Sequence, residues 1–87
     1  MTARVFIENL PPAVTEGDLD QMFSMYGKVL TIYLAGDWET SGSARFAFVD
    51  MHDRGDAEQA VAGMRSLMLG GRQINVVLSR SDLKFAS

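Results

Sequence analysis

The chain has no cysteine. A disulfide framework, a cysteine-ligated zinc site and a thiol nucleophile are therefore excluded together. His52 is its one histidine, so clustered-histidine metal sites and multi-histidine catalysis are excluded too. No apolar run approaches the ~18–20 residues that a membrane span needs. The N-terminal stretch has one arginine and then Glu8, Pro11 and Pro12, which is not the pattern of a secretory signal. The expectation is a soluble cytoplasmic protein, nuclear if the chain is a piece of a eukaryotic one. Basic residues are scarce: 8 Lys and Arg stand against 11 Asp and Glu, for a net charge of −3. That balance argues mildly against tight, salt-driven binding to nucleic acid.

What is present is a globular composition, with 47% hydrophobic and 22% charged residues. A chain of 87 residues supports one small core, burying ~60–65% of its unfolded surface. The expected organisation is one domain over residues 1–80 and a polar C-terminal tail over 81–87.

Residues 4–10 alternate as a strand, with Val5 and Ile7 facing one way and Arg4, Phe6 and Glu8 the other. Pro11 and Pro12 stop it. Thr15 reads as an N-cap with Asp18 at N3, and Glu16 and Asp18 suit the positive end of the helix dipole. Leu19, Met22, Phe23 and Tyr26 follow at helical spacing, and Gly27 reads as a C′ glycine, which predicts a helix over roughly 16–26. Residues 29–34 predict a second strand, residues 35–43 a polar loop, and Arg45 to Met51 a third strand. In that third strand Phe46, Phe48 and Asp50 share one face, and Ala47, Val49 and Met51 the other. Asp53 caps a second helix, with Asp56 at N3 and an apolar stripe of Ala57, Ala60, Val61 and Met64. Leu67 to Leu69 read as a short extended piece, Gly70-Gly71 as a turn. In the last strand Ile74, Val76 and Leu78 alternate with Asn75, Val77 and Ser79.

The order strand, helix, strand, strand, helix, strand gives an α+β fold: the ferredoxin-like split β-α-β arrangement (β-α-β-β-α-β), a four-stranded antiparallel sheet with two helices on one face. The other face stays open to water, and it carries Phe6, Phe46, Phe48 and Tyr33. Packing such rings inward would recover ~1.5–3 kcal/mol each, but only by turning Val5, Ile7, Ala47 and Val49 outward. Aromatic rings on a sheet face are a stacking platform for unpaired bases, worth ~1–3 kcal/mol per base.

These residues carry a family resemblance over positions 4–79. Val5-Phe6-Ile7-Glu8-Asn9-Leu10 resembles the first-strand motif, RNP2, of the RNA recognition motif family. Ala44-Arg45-Phe46-Ala47-Phe48-Val49-Asp50-Met51 resembles its octapeptide, RNP1. Thr15, Leu19, Phe23 and Gly27, then Ala57, Ala60, Val61 and Met64, then Gly71, Arg72, Ile74 and Val76 match in order. The chain resembles in particular small bacterial proteins made of little more than one such motif.

The resemblance implies a partner of single-stranded RNA, with single-stranded DNA not distinguished, and no cofactor, metal or membrane. Phe6 and Phe48 would stack on successive bases, and Phe46 would lie against the ribose between them. Gln73 and Asn75 would project from the open face of the last strand, and backbone groups of Val77 through Ser81 would read base edges. Tyr33 is a candidate extra ring, and Trp38 in the polar loop a candidate clamp. Arg4, Arg45 and Arg80 are candidate phosphate or base contacts, whereas Arg72 reads as surface charge. Strict alternation puts Arg45 on the helix side. Either its stem snorkels outward or a bulge rotates it forward.

The pattern also departs from the family. Ala44 stands where Lys or Arg is usual, Arg45 where Gly is usual, and Met51 where an aromatic is usual. The 35–43 loop has Asp37 and Glu39 and no Lys or Arg. Binding is therefore expected to be weak and dominated by stacking. The alternative is a protein-interaction module with little or no RNA binding, its partner on the helix face, where Met25 and Met68 are candidate contacts. Leu83 and Phe85 offer a further alternative, a tail that covers the rings. One peptide-binding subclass uses Arg-x-Phe after the second helix, and the matching Leu67-Met68-Leu69 does not support it. A homodimer built on an edge strand or the helices is specified by nothing in the chain.

No enzyme is expected. Gly70-Gly71 lacks the spacing and the lysine of a phosphate loop. His52 beside Asp53 reads as a surface or capping histidine, and Glu16, Asp18 and Asp20 as a solvated helix face.

Overall fold

The computed structural model describes residues 2–35 and 45–79. Expectations that fell on Trp38, Arg80, Leu83, Phe85 and the 81–87 tail lie outside the described residues. Segments rich in β-branched and aromatic side chains form β1 (Ala3–Leu10), β2 (Val29–Ala35) and β3 (Arg45–Met51). The amphipathic stretches form α1 (Glu16–Ser24) and α2 (Arg54–Met64). Three short strands follow: β4 (Met68–Leu69), β5 (Arg72–Gln73) and β6 (Asn75–Ser79). The main sheet has four strands in the order β2-β3-β1-β6, antiparallel at each junction. The fold is the expected α+β, ferredoxin-like β-α-β-β-α-β, with β6 as its last sheet strand.

This order follows from the two crossovers. α1 carries the chain from β1 past β3 to β2, and α2 carries it from β3 past β1 to β6. The second crossover reverses both strand direction and lateral direction, so the right-handed preference puts both helices on the same face. Val5, Ile7, Ala47, Val49, Met51 and Val76 of the sheet meet Leu19 and Phe23 of α1 there. Ala57, Ala60, Val61 and Met64 of α2 complete the core. The α2 stripe is the one the sequence predicts.

The caps show why the helices sit where they do. Asp18 N–H donates to Thr15 Oγ1 at 3.1 Å, and Thr15 N–H donates to Asp18 Oδ2 at 3.0 Å, a complete capping box. Asp53 caps α2 differently, accepting from Gly55 N–H at 2.9 Å. α1 ends at Ser24, short of the expected 26, where the last turn tightens to an i→i−3 bond from Tyr26 N–H to Phe23 C=O at 2.9 Å. Gly27 is not left-handed, as a C′ glycine would be. Its lack of a side chain serves close approach instead, since a Cβ there would collide with the Asp56 side chain.

Three local devices adjust the strands, one of them an extra residue in β2 between Val29 and Thr31. β1 pairs Ile7 with Ala47 but Leu10 with Arg45, so β1 has one extra residue. Asn9 absorbs it at φ 65°, a conformation asparagine tolerates better than most residues. Strict alternation from Phe6 would send Leu10 outward; the bulge returns it to the core, fully buried. Gly70 and Gly71, at φ 55° and 82°, form the two-residue turn between β4 and β5, with the doubly positive pattern of a type I′ hairpin. That hairpin contains Gln73, which therefore lies outside the main sheet, contrary to its expected place on the last strand. Asn9 Nδ2 donates to Gln73 C=O at 2.8 Å and ties the hairpin to β1.

Substitution at Asn9 separates backbone strain from side-chain bonding. Asn9→Ala is expected to be less stable than Asn9→Gly by about 1–2 kcal/mol, because only glycine relieves the positive φ. Urea unfolding of both variants measures this; equal stabilities would show that the bulge is not conformationally demanding.

Candidate nucleic-acid interface

The side chains opposite the helices fall into rows set by the strand register. Tyr33, Phe48, Phe6 and Val77 are cross-strand partners in one row spanning all four strands. Thr31, Asp50, Arg4 and Ser79 form the next row. Beyond the aromatic row lie Phe46, paired with Ala35, and Glu8, paired with Asn75. The pleat that buries Val5, Ile7, Ala47 and Val49 turns their neighbours outward.

The rings form a contiguous cluster. Phe6 and Phe48 lie 5.0 Å apart between centroids with planes 35° apart, and Phe46 sits 5.9 Å from Phe6 and 6.1 Å from Phe48, edge-on to the latter. Tyr33 extends the cluster onto β2, 6.4 Å from Phe48. Tyr33 is 59% exposed, Val77 50% and Phe46 36%, while Phe6 and Phe48 are half-buried against one another. Tyr33, Phe46 and Val77 thus lie open to solvent and Phe6 and Phe48 partly so, a contiguous aromatic surface of the kind on which unpaired bases stack.

The charged residues are arranged less simply. Arg4 reaches the open face, as alternation predicts, but it is engaged there. Its Nε donates to Asp50 Oδ1 at 2.7 Å and its Nη2 to Asp50 Oδ2 at 3.1 Å. Its Cζ lies 5.1 Å from the Phe48 ring centroid. The hydrogen bond to Asp50 raises the Arg4 pKa above the ordinary arginine value, over an opposing effect of burial.

Arg45 does not join the rings. Neither an outward-snorkelling stem nor a bulge in β3 occurs; the extra residue belongs to β1. Arg45 stays on the helix side, where its Nη1 donates to Pro12 C=O at 3.0 Å and Val14 C=O at 3.1 Å. It secures the β1–α1 loop, at the cost of leaving its Nε buried without a partner. Arg72 Nη1 donates to Asn9 Oδ1 at 3.3 Å, beside the bulge. Among the described residues, the open face therefore carries Glu8 and a neutralised Arg4–Asp50 pair, and no unengaged cation.

Asn75 is exposed on β6 beside Glu8, at the margin of the face, as expected. Gln73 is exposed on the hairpin, its carbonyl held by Asn9. Trp38 and Arg80 lie outside the described residues. Two features emerge only with the strand register. Alternation puts Val77 on the open face with Asn75, and the register adds that its side chain continues the aromatic row beside Phe6. Arg4, Thr31, Tyr33, Phe48 and Asp50 enclose a recess of about 390 Å³; the alternation of β1, β2 and β3 placed these residues on one face, but their register was needed to bring them together.

The Arg45 contacts are open to test. Arg45→Ala is expected to lower stability by about 1–3 kcal/mol, through loss of charged donors to two loop carbonyls. The amide shifts of Phe6 and Phe48 should barely move. A variant as stable as the parent would show that the loop does not depend on these bonds.

Comparison with known proteins agrees with this architecture. A model of the RNA recognition motif matches residues 5–75. The chain is 33% identical over 82 residues to peptidyl-prolyl cis-trans isomerase-like 4 of Neurospora crassa, covering 94% of this chain and 17% of that protein. It is 36% identical over 75 residues to the 28 kDa chloroplastic ribonucleoprotein of Spinacia oleracea, covering 86% of this chain and 32% of that protein. The chain thus spans a third or less of the length of these two eukaryotic relatives. Among solved structures, the RNA-binding protein PG1 superposes with a TM-score of 0.79 at 31% identity, covering 90% of this chain and 94% of that one. Matched motif, shared fold and an outward row of rings on the two central strands lead to one conclusion: the chain belongs to the RNA recognition motif family.

Proposed function

We propose that this domain binds single-stranded RNA by stacking successive bases on Phe48 and Phe6, with Phe46 against the intervening ribose. The observation that carries the reading is the outward row Tyr33–Phe48–Phe6–Val77, on the face opposite the helices. Its affinity comes from rings more than from phosphates, because Arg4 is paired with Asp50 and Arg45 is turned to the β1–α1 loop. The domain acts as a binding module and not as an enzyme. Kinship with small bacterial proteins built on one such motif belongs to the same proposal; the two relatives named above are eukaryotic.

A second reading has its own observation. Met22, Met25, Tyr26, Gly63, Met64 and Leu67 line an apolar groove between the helices, and Met25 is 84% exposed. A protein partner on that groove would act from the side opposite the rings, with or without RNA.

Two measurements bear on the first reading. Phe48→Ala is expected to weaken binding of a short single-stranded RNA by ~1–3 kcal/mol while the domain stays folded. Unchanged affinity in the folded variant would contradict stacking. The salt dependence of binding should be shallow, reporting few phosphates; a slope corresponding to about six or more would contradict the ring-dominated account.

A further inference from the structure

The recess beside Phe48 has a polar wall whose donors and acceptors are only partly used. Asp50 gives one lone pair from each oxygen to Arg4, of the roughly four sites that a carboxylate offers. Arg4 spends one hydrogen each from Nε and Nη2, so three of its five N–H donors are unspent in that pairing. An acceptor and a donor therefore stand side by side, one register step from the ring on which a base would stack. Two hydrogen bonds join the ion pair, and Arg4 also packs against Phe48, 5.1 Å from its ring centroid. Such an arrangement is built before any ligand arrives, which lowers the cost of ordering it on binding.

From this we infer that the Arg4–Asp50 pair reads the edge of the base stacked on Phe48 and selects bases carrying an exocyclic amino group over uracil. The inference deepens the proposed RNA-binding function and rests on it. Cytosine and adenine each present an amino donor next to a ring-nitrogen acceptor, which matches the Asp50 acceptor and the Arg4 donor. Guanine presents an amino group and a ring N–H beside a carbonyl, and it fits the same wall. Uracil has no amino group. Its single ring N–H lies between two carbonyl oxygens, so directing that N–H at Asp50 brings a carbonyl oxygen toward the carboxylate. A lone carboxylate here would repel the RNA backbone; paired with Arg4, it keeps its acceptor function without a net charge. Thr31, in register with Asp50, closes the recess on the β2 side.

Cytosine against uracil is the cleanest comparison, because the two rings are nearly the same size and differ at the edge that is read. The test measures the affinity of the full chain for hexacytidylate and hexauridylate, for the parent, Asp50→Asn and Phe48→Ala. The parent should prefer hexacytidylate by about fivefold, the worth of roughly one hydrogen bond. Asp50→Asn should bring the ratio near one, since a side-chain amide can turn its donor toward a uracil carbonyl. Phe48→Ala should weaken both ligands together. A ligand-side control needs no variant: replacing the cytidines with N4,N4-dimethylcytidine, which cannot donate from the amino nitrogen, should remove the preference. If the parent binds both oligomers equally, or Asp50→Asn leaves the preference intact, the base-reading role is overturned while stacking stands. If neither oligomer binds at millimolar concentration, the RNA-binding reading fails and this inference fails with it.

Discussion

The antiparallel register of β1 against β3 governs both sides of this domain. Pairing Phe6 with Phe48 also pairs Val5 with Val49 and Ile7 with Ala47. Because a strand's side-chain period is two, the core and the ring cluster are not independent choices. A slip of one residue would bury rings of the wrong shape under the helices and expose the valines. Both crossovers keep the helices on one face, so exposure of the rings follows from topology. Those rings are apolar surface left where a flat partner can cover it. The bulge at Asn9 ends this regime by returning Leu10 to the core, where it is fully buried.

Electrostatics then separates this chain from a generic basic RNA binder. Net charge is −3, and the described arginines near the sheet are engaged within the protein. Arg4 pairs with Asp50, Arg45 secures the β1–α1 loop and Arg72 meets Asn9. Each such contact reduces what is available for phosphate neutralisation, the term that gives most nucleic-acid binders their salt dependence. What the described open face offers is stacking area and a short-range polar wall; in the proposed function the first accepts any base and the second reads its edge. The proposed module trades affinity for contact with the bases themselves.

Much of this was legible in the residues. Alternation in 4–10 and 45–51 named the ring face and the core face correctly, and the Ala57, Ala60, Val61 and Met64 stripe fixed how α2 packs. Capping chemistry placed the helix starts at Thr15 and Asp53. The misses have physical causes. Arg45 was offered as a contact because its long stem has several outlets; which one it takes depends on the Pro12 and Val14 carbonyls, more than 30 residues away in sequence. Gln73 was placed on the last strand because Gly70-Gly71 does not reveal by itself that its hairpin closes into a separate two-stranded sheet. Gly27 looked like a helix cap, whereas the close approach of Asp56 from α2 decides its role. Alternation put Arg4 and Asp50 on the same face, but the sequence does not say that they pair across strands.

The most direct measurement follows the aromatic ring protons of Phe6, Phe46 and Phe48 by NMR as a short degenerate single-stranded RNA is added. Upfield ring-current shifts on Phe6 and Phe48, with Phe46 perturbed by the ribose and the helix amides still, are the predicted result. Shifts confined to the groove around Met25 and Leu67, or none at millimolar RNA, would contradict the account.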